Sequence, residues 1–368
     1  MRLRGAWGQT GRAPTPGASL TTFSAAPFVA GAASSSGVVP NNPGNDSLRA
    51  ERGEELEFGV DWGMFRDRVN FELTWFDKVS RDLLLQQPLP PSLGFASFPF
   101  ANIGRLRNRG LEFAVNAQMV RSKNFSWDLR YTMNTLENEV EALGRVSPFF
   151  VGNVGRVEVG LPAGAMVTKP ILNINEQTGV VQVDTAFRSV NKPLPDFEAA
   201  LWSSVKFGKY FTVTGSIDTK RGFGIYNLTD FFRETQLVRS DRRLDTLLLS
   251  RRERLRRYGN PTTGQPAFVQ LSGVSTTVNE VREAYIQNAD FVRFRELALT
   301  ANLPTSWANR FKAQGGAITI AGTNLILWTA YEGPDPEVLT AITSQFDRAD
   351  FLTVPNPRRF TVRVNLTY

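Results

Sequence analysis

The sequence predicts an all-β protein, and more specifically a transmembrane antiparallel β-barrel with long extracellular loops. Apolar and polar residues alternate with a period of two along many short segments, as in strands that have one apolar face. Very short turns at one end of these segments alternate with loops of dozens of residues at the other. The chain also ends on a strand with two fully segregated faces, RRFTVRVNLTY. These features together favour a barrel over a soluble β-sandwich.

The composition supports many short strands and argues against transmembrane helices. The 368 residues include 27 Phe and 7 Trp beside 30 Gly and 21 Pro, and the apolar residues are dispersed among polar ones. The longest stretch that is poor in charge, residues 13–43, contains several prolines and much Gly and Ser, so it cannot form a spanning helix. A chain of this kind can cross a bilayer only as a closed barrel, where every backbone polar group has a partner.

The residue types that are missing limit the chemistry. The chain has no cysteine, which agrees weakly with an exported protein, and no histidine. The lack of histidine excludes Ser-His-Asp and Cys-His catalysis and argues against a zinc site, so we expect no enzyme activity, cofactor or metal. The net charge is +7, but much of the excess lies in residues 239–257. The charge pattern therefore does not indicate a nucleic-acid partner.

The first half of the chain is predicted to form a strand, a loop and two hairpins. A short strand at Leu3, Ala6 and Trp7 precedes a Pro-, Gly- and Ser-rich loop that reaches about residue 45. No apolar core of a signal peptide follows the first arginines, so we expect upstream parts of a larger protein to be missing. The apolar rows of the hairpins are Leu56, Phe58 and Val60 with Val69, Phe71, Leu73 and Trp75, then Leu111, Phe113, Val115, Ala117 and Met119 with Phe125, Trp127, Leu129, Tyr131 and Met133.

The second half is predicted to hold further strands around two long excursions. Residues 137–195 are poorly periodic, with a hairpin-like piece that turns at residues 178–179, and residues 227–283 become polar and helical. A strand pair between these excursions turns at Gly208 and Lys209. In the later strands the apolar row changes phase near Arg295 and Glu296, and again near Gly322, which indicates β-bulges. The total is roughly ten strands, most of them long enough to cross a bilayer at ~9 to 11 residues each.

The connections differ in length at the two ends of these strands. Turns at residues 66–68, 122–124 and 208–209 are short, whereas residues 13–45, 137–195 and 227–283 are long. Because outer-membrane barrels have short periplasmic turns and long external loops, we expect the long connections on the outer side. Aromatic residues near strand ends fit an interfacial girdle: Phe65, Phe125, Trp127, Tyr210, Phe211 and Tyr368.

The last strand has an apolar face that ends on an aromatic residue. This face consists of Phe360, Val362, Val364, Leu366 and Tyr368, and the residues between them are polar. Such a strand looks like the C-terminal sorting signal of outer-membrane barrels. Taken alone, it is equally typical of a half-buried antiparallel strand on a soluble core.

An ordered series of segments resembles the C-terminal part of SusC/RagA-type TonB-linked outer-membrane receptors. The series runs from LRGAWGQTG and ELEFGVDWGMFRDRVNFELTWFDKVSRDLLL to YIQNADFVRFRELALTANLP and RRFTVRVNLTY. Its two most specific pieces are ANIGRLRNRGLEF and YEGPDPEV. The motif positions are Asn102, Gly104, Asn108, Gly110 and Glu112 in the first piece, and Tyr331, Gly333, Asp335, Pro336 and Glu337 in the second.

The resemblance implies a 22-stranded barrel with an N-terminal plug that imports nutrients, such as oligosaccharides, glycans or peptides, across the outer membrane. It further implies energy from the inner-membrane TonB complex, contacted through the N-terminal part, and a SusD-like lipoprotein lid over the outer mouth. In comparison with that family, the signal peptide, the TonB-contacting segment, the plug and the early strands are absent. We therefore interpret residues 1–368 as the C-terminal portion of a receptor barrel surrounded by outer-membrane lipid.

Two clusters of charge are candidate sites of chemistry. Asp335 and Glu337 resemble a paired-carboxylate site, but two acids around Pro336 are more typical of a turn with local hydrogen bonds. The arginines of residues 239–257 could contact phosphates, and an exposed loop helix that touches lipopolysaccharide or a partner is the preferred interpretation. A solute path could be lined by Glu112, Asn116, Asp128, Arg130, Glu198 and Lys206, although each could equally serve to solvate and cross-link the interior.

Two functions remain open at this point. The first is nutrient transport in the outer membrane, and the alternative is a soluble all-β carbohydrate-binding or interaction module. The uncharged apolar rows favour the first, since Arg or Lys at the bilayer midplane costs about 2–4 kcal/mol. The long loops also carry Phe149, Phe150, Phe231 and Phe232, which we expect to contact the lid, unless they only pack the loops against each other.

Overall fold

The computed structural model describes residues 1–30, 33–87, 89–144, 146–175, 180–235, 282–340 and 348–368. Its strands are β1 (Arg2–Arg12), β2 (Thr22–Ala30), β3 (Ala33–Asn42), β4 (Glu51–Met64), β5 (Val69–Arg81), β6 (Leu84–Gln86), β7 (Phe100–Asn102), β8 (Arg105–Arg121), β9 (Phe125–Thr135), β10 (Glu137–Ala142), β11 (Phe149–Val151), β12 (Gly155–Val157), β13 (Ala165–Thr168), β14 (Ile171–Asn175), β15 (Val180–Val183), β16 (Arg188–Asn191), β17 (Phe197–Phe207), β18 (Phe211–Arg221), β19 (Gly224–Asn227), β20 (Ile286–Asn288), β21 (Phe291–Asn302), β22 (Gly315–Thr329), β23 (Ala349–Asp350) and β24 (Arg359–Thr367). Helical structure in the described ranges consists of α1 (Leu228–Thr235), the one-turn helix Thr305–Ala308 and 3-10 turns at Pro91–Leu93, Glu283–Tyr285 and Asn309–Phe311. The predicted all-β class is confirmed.

The long strands form a single antiparallel sheet in which neighbours in the chain are neighbours in space. The order is β1-β4-β5-β8-β9-β17-β18-β21-β22-β24, and β10 pairs with the start of β8. Among the described strands, β1 pairs only with β4 and β24 pairs only with β22, so the sheet has two open edges. The predicted number of about ten long strands is confirmed.

One side of this sheet, called here the apolar face, is apolar from edge to edge. Leu3 lies opposite Val60, which lies opposite Leu73, which in turn lies opposite Phe113. Because side chains alternate, each row of this kind continues across the later strands. One such row comprises Val115, Tyr131, Leu201, Ile217 and Phe294, and another comprises Val205, Val213, Leu299, Ile320 and Val362.

The two ends of the sheet carry different connections, as the sequence predicted. The β4–β5, β8–β9 and β17–β18 turns are short, and the β21–β22 connection at the same end holds the one-turn helix Thr305–Ala308. The other connections all lie at the opposite end, called here the outer end. The predicted girdle aromatics lie at the short-turn end, where the rings of Phe125 and Phe207 are 5.5 Å apart.

The long connections fold into small sheets of their own at the outer end. Residues that were predicted to be a loop up to residue 45 instead include the β2–β3 hairpin. The prediction was wrong here because Ala and Ser dominate these strands and leave no apolar periodicity to detect. The remaining small sheets are β6-β7, β11-β12-β13-β16, β14-β15 and β20-β19-β23.

The bulges that the phase changes predicted are present. The register shifts between Phe294 and Glu296, which places Arg295 in the bulge. The partner strand β22 skips Asn324 and Leu325, two and three residues after the predicted position at Gly322. The predicted turn at residues 178–179 and most of the predicted helical excursion, residues 236–281, lie outside the described residues.

Candidate functional site

The side of the sheet opposite to the apolar face, called here the polar face, holds a pocket of about 630 Å³. Strands β5, β8, β9, β17, β18 and β21 contribute to it, because residues that alternate with the apolar rows point to this side. The β22–β24 connection also reaches it through Glu337. The polar residues that line the pocket are Glu72, Thr74, Glu112, Thr132, Asn134, Glu198, Ser216, Asp218, Thr219, Lys220, Arg295 and Glu337.

Most charges of the pocket are paired across strands. Lys220 Nζ lies 3.0 Å from Glu198 Oε1 on the neighbouring strand. Arg295 donates to both carboxylate oxygens of Asp218, at 2.7 and 2.5 Å, and to both of Glu337, each at 2.9 Å. These pairs fix the wall of the pocket in one arrangement, since bidentate arginine pairs are directional as well as strong.

Glu72 and Glu112 differ from the other acids of the pocket. Within the described part of the chain, neither has an ion-pair partner, and both are exposed to the pocket. Each carboxylate offers free acceptor oxygens on neighbouring strands. Such groups can accept hydrogen bonds from the hydroxyl groups of a sugar or from the ammonium groups of a peptide.

Asp335 and Glu337 bind arginines of β21 and do not form an acid-base pair. Asp335 Oδ1 accepts hydrogen bonds from Arg293 Nη2 at 2.5 Å and from the backbone amide of Glu337 at 3.0 Å. Arg293 Nε lies 2.9 Å from Glu337 Oε2, and Arg295 binds the same carboxylate. This geometry fits the preferred interpretation of Asp335 and Glu337 as part of a turn with local hydrogen bonds. The two arginines add ion pairs to that turn.

The other residues of this motif pack the same connection. Tyr331 is buried, and its hydroxyl donates to Asp350 Oδ2 at 2.7 Å. Burial in the first place, and then the contact with Asp350, raise the pKa of the Tyr331 phenol above its ordinary value. A side chain at Gly333 would meet the Tyr331 ring at 2.4 Å, and Pro336 is fully buried. These positions therefore shape the connection and leave no reactive group free.

The residues of the first motif, ANIGRLRNRGLEF, hold the outer end of β8 in place through hydrogen bonds and close backbone packing. Asn102 accepts a hydrogen bond from the Arg49 amide and donates to the carbonyl oxygens of Arg49 and Asp82. Gly104 has a φ of 81°, which favours glycine. Asn108 accepts a 2.6 Å hydrogen bond from Asn138, Gly110 lets the chain pass close to the Thr135 carbonyl, and Glu112 lines the pocket.

The predicted path-lining residues lie on the polar face, but only some of them meet in the pocket. Glu112 and Glu198 line it, whereas Asn116, Asp128, Arg130 and Lys206 lie nearer the short turns. Arg295 was missed as a pocket residue. Its signal was present, because the predicted bulge at Arg295 turns an additional side chain toward the polar face.

The C-terminal strand lies at one edge of the sheet. Its apolar row, formed by Phe360, Val362, Val364 and Leu366, continues the apolar face opposite Gly322, Ile320, Ile318 and Gly316, and Tyr368 follows at the short-turn end. Phe360 is 76% and Tyr368 74% exposed. This placement fits a lipid-facing strand, and the role of the row in sorting stays a prediction.

The loop aromatics contribute mainly to the interior of the outer end. Phe149 and Phe231 are buried in separate apolar clusters, and Phe232 packs against Phe351 with ring centroids 4.9 Å apart. The burial of Phe149 and Phe231 favours packing of the loops against each other for these two residues, Phe232 is partly buried, and contact with a lid stays a prediction. Phe150 remains about half exposed beside Phe187.

The described ranges show neither a metal site nor a helix that could span a membrane. No group of acidic residues there is arranged to hold a metal ion. No helix among them combines the length and the hydropathy that crossing a membrane requires. The arginine-rich residues 239–257 lie outside these ranges.

An antiparallel meander with an apolar face, a polar face and short turns at one end defines the wall of a transmembrane β-barrel. The family model described as TonB dependent receptor-like, beta-barrel matches residues 1–233. The chain therefore belongs to the TonB-dependent receptor β-barrel family, as the motifs predicted.

Relatives and solved structures agree with this assignment. TonB-dependent receptor P26 of Formosa agariphila is 25% identical over 381 residues, which cover 90% of this chain and 36% of that protein. TonB-dependent receptor SusC of Bacteroides thetaiotaomicron is 25% identical over 351 residues, which cover 88% of this chain and 32% of SusC. The chain thus spans about a third of the length of these relatives.

The fold is also similar to solved structures of RagAB. The RagAB peptide transporter superposes with a TM-score of 0.72 at 18% identity, over 99% of this chain and 40% of that chain. The 'closed-closed' state of the RagAB peptide importer gives a TM-score of 0.75, with the same identity and coverage. At this identity the similarity establishes the fold alone.

Proposed function

We propose that this chain forms part of the wall of a TonB-dependent receptor that takes up nutrients across the outer membrane. The observation that carries this proposal is the apolar face, which continues through ten strands while the opposite face stays polar. In water such a surface would be unfavourable, at roughly 25 cal/mol per Å² of exposed apolar area. A bilayer removes that cost and leaves the polar face to line the interior.

The cargo that we propose is an oligosaccharide, a glycan or a peptide. The similar structures are described as a peptide transporter, and the resemblance of the sequence to SusC/RagA-type receptors implies oligosaccharides or peptides. The unpaired carboxylates of Glu72 and Glu112 suit hydroxyl-rich or cationic groups better than anionic ones. Among the candidate solutes, we therefore favour neutral oligosaccharides and basic peptides.

The proposed partners follow from the same assignment. We infer that a SusD-like lipoprotein lid contacts the outer end, where Phe150, Leu352 and Val354 remain exposed. The TonB complex would supply energy through an N-terminal part of the receptor. In this proposal residues 1–368 are the C-terminal portion of the barrel. This agrees with the share of the relatives' length that the chain covers, which is about a third.

A soluble carbohydrate-binding or interaction module is not supported. Such a module would bury one face of its sheet against a second layer. Here many apolar side chains of the apolar face, including Phe58, Trp75 and Val362, are exposed by a third or more.

The test uses cells that express the intact receptor and a matched deletion strain. Outer and inner membranes are separated, and the depletion of an oligosaccharide mixture and of a peptide mixture from the medium is measured. We expect the receptor in the outer membrane, and depletion of one mixture that stops when TonB is removed. A receptor found in the soluble fraction would refute the proposal, as would depletion that is equal in both strains.

A further inference from the structure

The short-turn end of the sheet is basic as well as aromatic. Asp67 is the only acidic residue in the four short connections, and every one of them carries at least one Lys or Arg. The basic residues and the aromatic residues beside them define the short-turn rim: Arg66, Arg68, Arg121, Lys123, Lys209, Arg310 and Lys312 with Phe65, Phe125, Tyr210, Trp307 and Phe311.

The cations of this rim are not neutralised by the protein. All of them are exposed, and within the described part of the chain none of them has an ion-pair partner. Phe65, Trp307 and Phe311 are more than half exposed at the same level. Several solvated cations of one sign repel each other, so a binding partner of opposite charge would stabilise their arrangement.

The outer end of the same sheet differs, because many of its arginines are paired with carboxylates. There Arg81 pairs with Glu54, Arg107 with Asp77 and Arg109 with Glu137. Arg105 and Arg52 are likewise paired, with Glu141 and Asp82 respectively. The outer end thus combines paired arginines with unpaired ones such as Arg12 and Arg221, whereas at the short-turn rim every cation is unpaired within the described residues.

We infer that the short-turn rim binds the headgroups of anionic phospholipids in the periplasmic leaflet. This inference rests on the proposed function, since it requires the apolar face to lie in the outer membrane with its short turns toward the periplasm. Exposed Trp, Tyr and Phe place the rim at headgroup depth, where amphipathic rings collect. Lys and Arg at that depth meet lipid phosphates at short range, and a net negative lipid adds an attraction that a zwitterionic lipid lacks.

The rim also has the geometry of a belt and not of a single pocket. Its cations are spread over the four connections at this end of the sheet. These connections join β4 to β5, β8 to β9, β17 to β18 and β21 to β22. A partner that is itself a continuous surface can contact all of them at once. A lipid leaflet meets that condition.

The experiment uses the intact receptor, purified and delipidated in a mild detergent. It is offered an equimolar mixture of phosphatidylglycerol and phosphatidylethanolamine, and the lipid that remains bound after isolation is quantified by mass spectrometry. We expect severalfold more phosphatidylglycerol than phosphatidylethanolamine, with a loss of this preference in 1 M NaCl. Equal retention of the two lipids would overturn the inference.

Three triple variants, one of which conserves charge, test whether the rim cations cause the preference for phosphatidylglycerol. The rim variant K123Q/K209Q/K312Q should retain at least threefold less phosphatidylglycerol than the wild type. The control R12Q/R221Q/R358Q removes the same charge from exposed arginines at the outer end and should retain the wild-type amount. The variant K123R/K209R/K312R should also behave as wild type. Equal retention by the rim variant and the control would refute the inference.

Membrane fractionation of the same strains separates this inference from the proposed function. A wild-type receptor that is absent from the outer membrane would refute both. A receptor that is correctly located and shows no preference for the anionic lipid would overturn only the role of the rim.

Discussion

Arg293 on β21 donates a hydrogen bond from Nη2 to Oδ1 of Asp335 at 2.5 Å, and both side chains are almost completely buried. The pair ties the polar face of the sheet to the connection between β22 and β24. Because both charges are removed from water, each depends on partners within the protein, and Glu337 is a second carboxylate beside Arg293. The pair is therefore a local determinant of how this connection folds into the interior.

Replacing Asp335 with Asn should destabilise this connection strongly. The substitution keeps the shape of the side chain but removes one of the two carboxylates beside the buried Arg293, at a cost of about 1.5–3 kcal/mol. Glu139 is exposed and has no ion-pair partner among the described residues, so Glu139→Gln offers a matched control that should change stability by less than about 0.5 kcal/mol. Urea unfolding of the intact receptor in micelles, with limited proteolysis of the outer end, measures both. Equal midpoints and cleavage rates for the two variants would contradict the prediction.

Tyr331 should make the outer end sensitive to alkaline pH. Burial and the contact with Asp350 raise the pKa of the phenol above its ordinary value of 10.0 in the folded state. The folded state therefore holds this proton more tightly than the unfolded state does. Below pH 10 the group adds no pH dependence, and above pH 10 the unfolded state ionises first, so stability should fall by up to about 1.4 kcal/mol per pH unit.

The variant Tyr331→Phe isolates this contribution. It cannot ionise, so its stability should fall less steeply between pH 10 and pH 11 than that of the wild type. At pH 7 the variant should already be less stable by about 1–3 kcal/mol, because Asp350 loses a buried hydrogen-bond donor. Parallel unfolding curves over the whole alkaline range would show that Tyr331 does not titrate in this way.

Gly110 should not tolerate a side chain. A Cβ atom at this position would lie 1.9 Å from the Thr135 carbonyl oxygen and 3.0 Å from the Phe76 ring. Gly110→Ala must therefore shift the backbone of β8 or β9, at a cost of about 1–3 kcal/mol. Gly8→Ala is the control, because nothing lies within 4 Å of its added Cβ. The temperature at which the folded band is lost in SDS gels should fall for the first variant only.

The sheet could be predicted from the sequence because period-two alternation is a local property of the chain. Rows such as Leu56, Phe58 and Val60 identify a strand and its lipid-facing side without knowledge of the partner strand. The β2–β3 hairpin could not be found in this way, because its strands present small residues on both faces. Its pairing is visible only in the backbone hydrogen bonds.

The pocket was predictable only in part. Alternation placed Glu112 and Glu198 on the polar face, and the phase change marked the bulge at Arg295. No local pattern could show that Glu337, 42 residues further along the chain, returns to bind Arg295. Contacts of this kind depend on how a long connection folds, and that is decided by tertiary packing.

The apolar row of β24 should be required for assembly. Phe360 continues the lipid-facing surface, so Phe360→Asp should place a carboxylate against hydrocarbon at a cost of up to about 2 kcal/mol. Deleting Tyr368 removes the terminal aromatic of the predicted sorting signal. Both changes should lower the amount of receptor in the outer membrane, as measured by fractionation and immunoblotting. Thr361→Asp, on the opposite face of the same strand, should assemble normally, and wild-type levels of the first two variants would refute the sorting role.

The 368-residue chain expressed without the rest of a receptor should form no stable pore. β1 and β24 each pair on one side only among the described strands, so an isolated sheet would expose two rows of backbone amides and carbonyls to lipid. Each unpaired group in hydrocarbon costs several kcal/mol, which neither edge can recover without a partner. Planar-bilayer recordings of the purified chain should therefore show no reproducible conductance, and the chain should lack the SDS-resistant band that the intact receptor gives. A well-defined conductance would mean that the two edges find partners, and cross-linking between copies would then show whether several chains close one barrel.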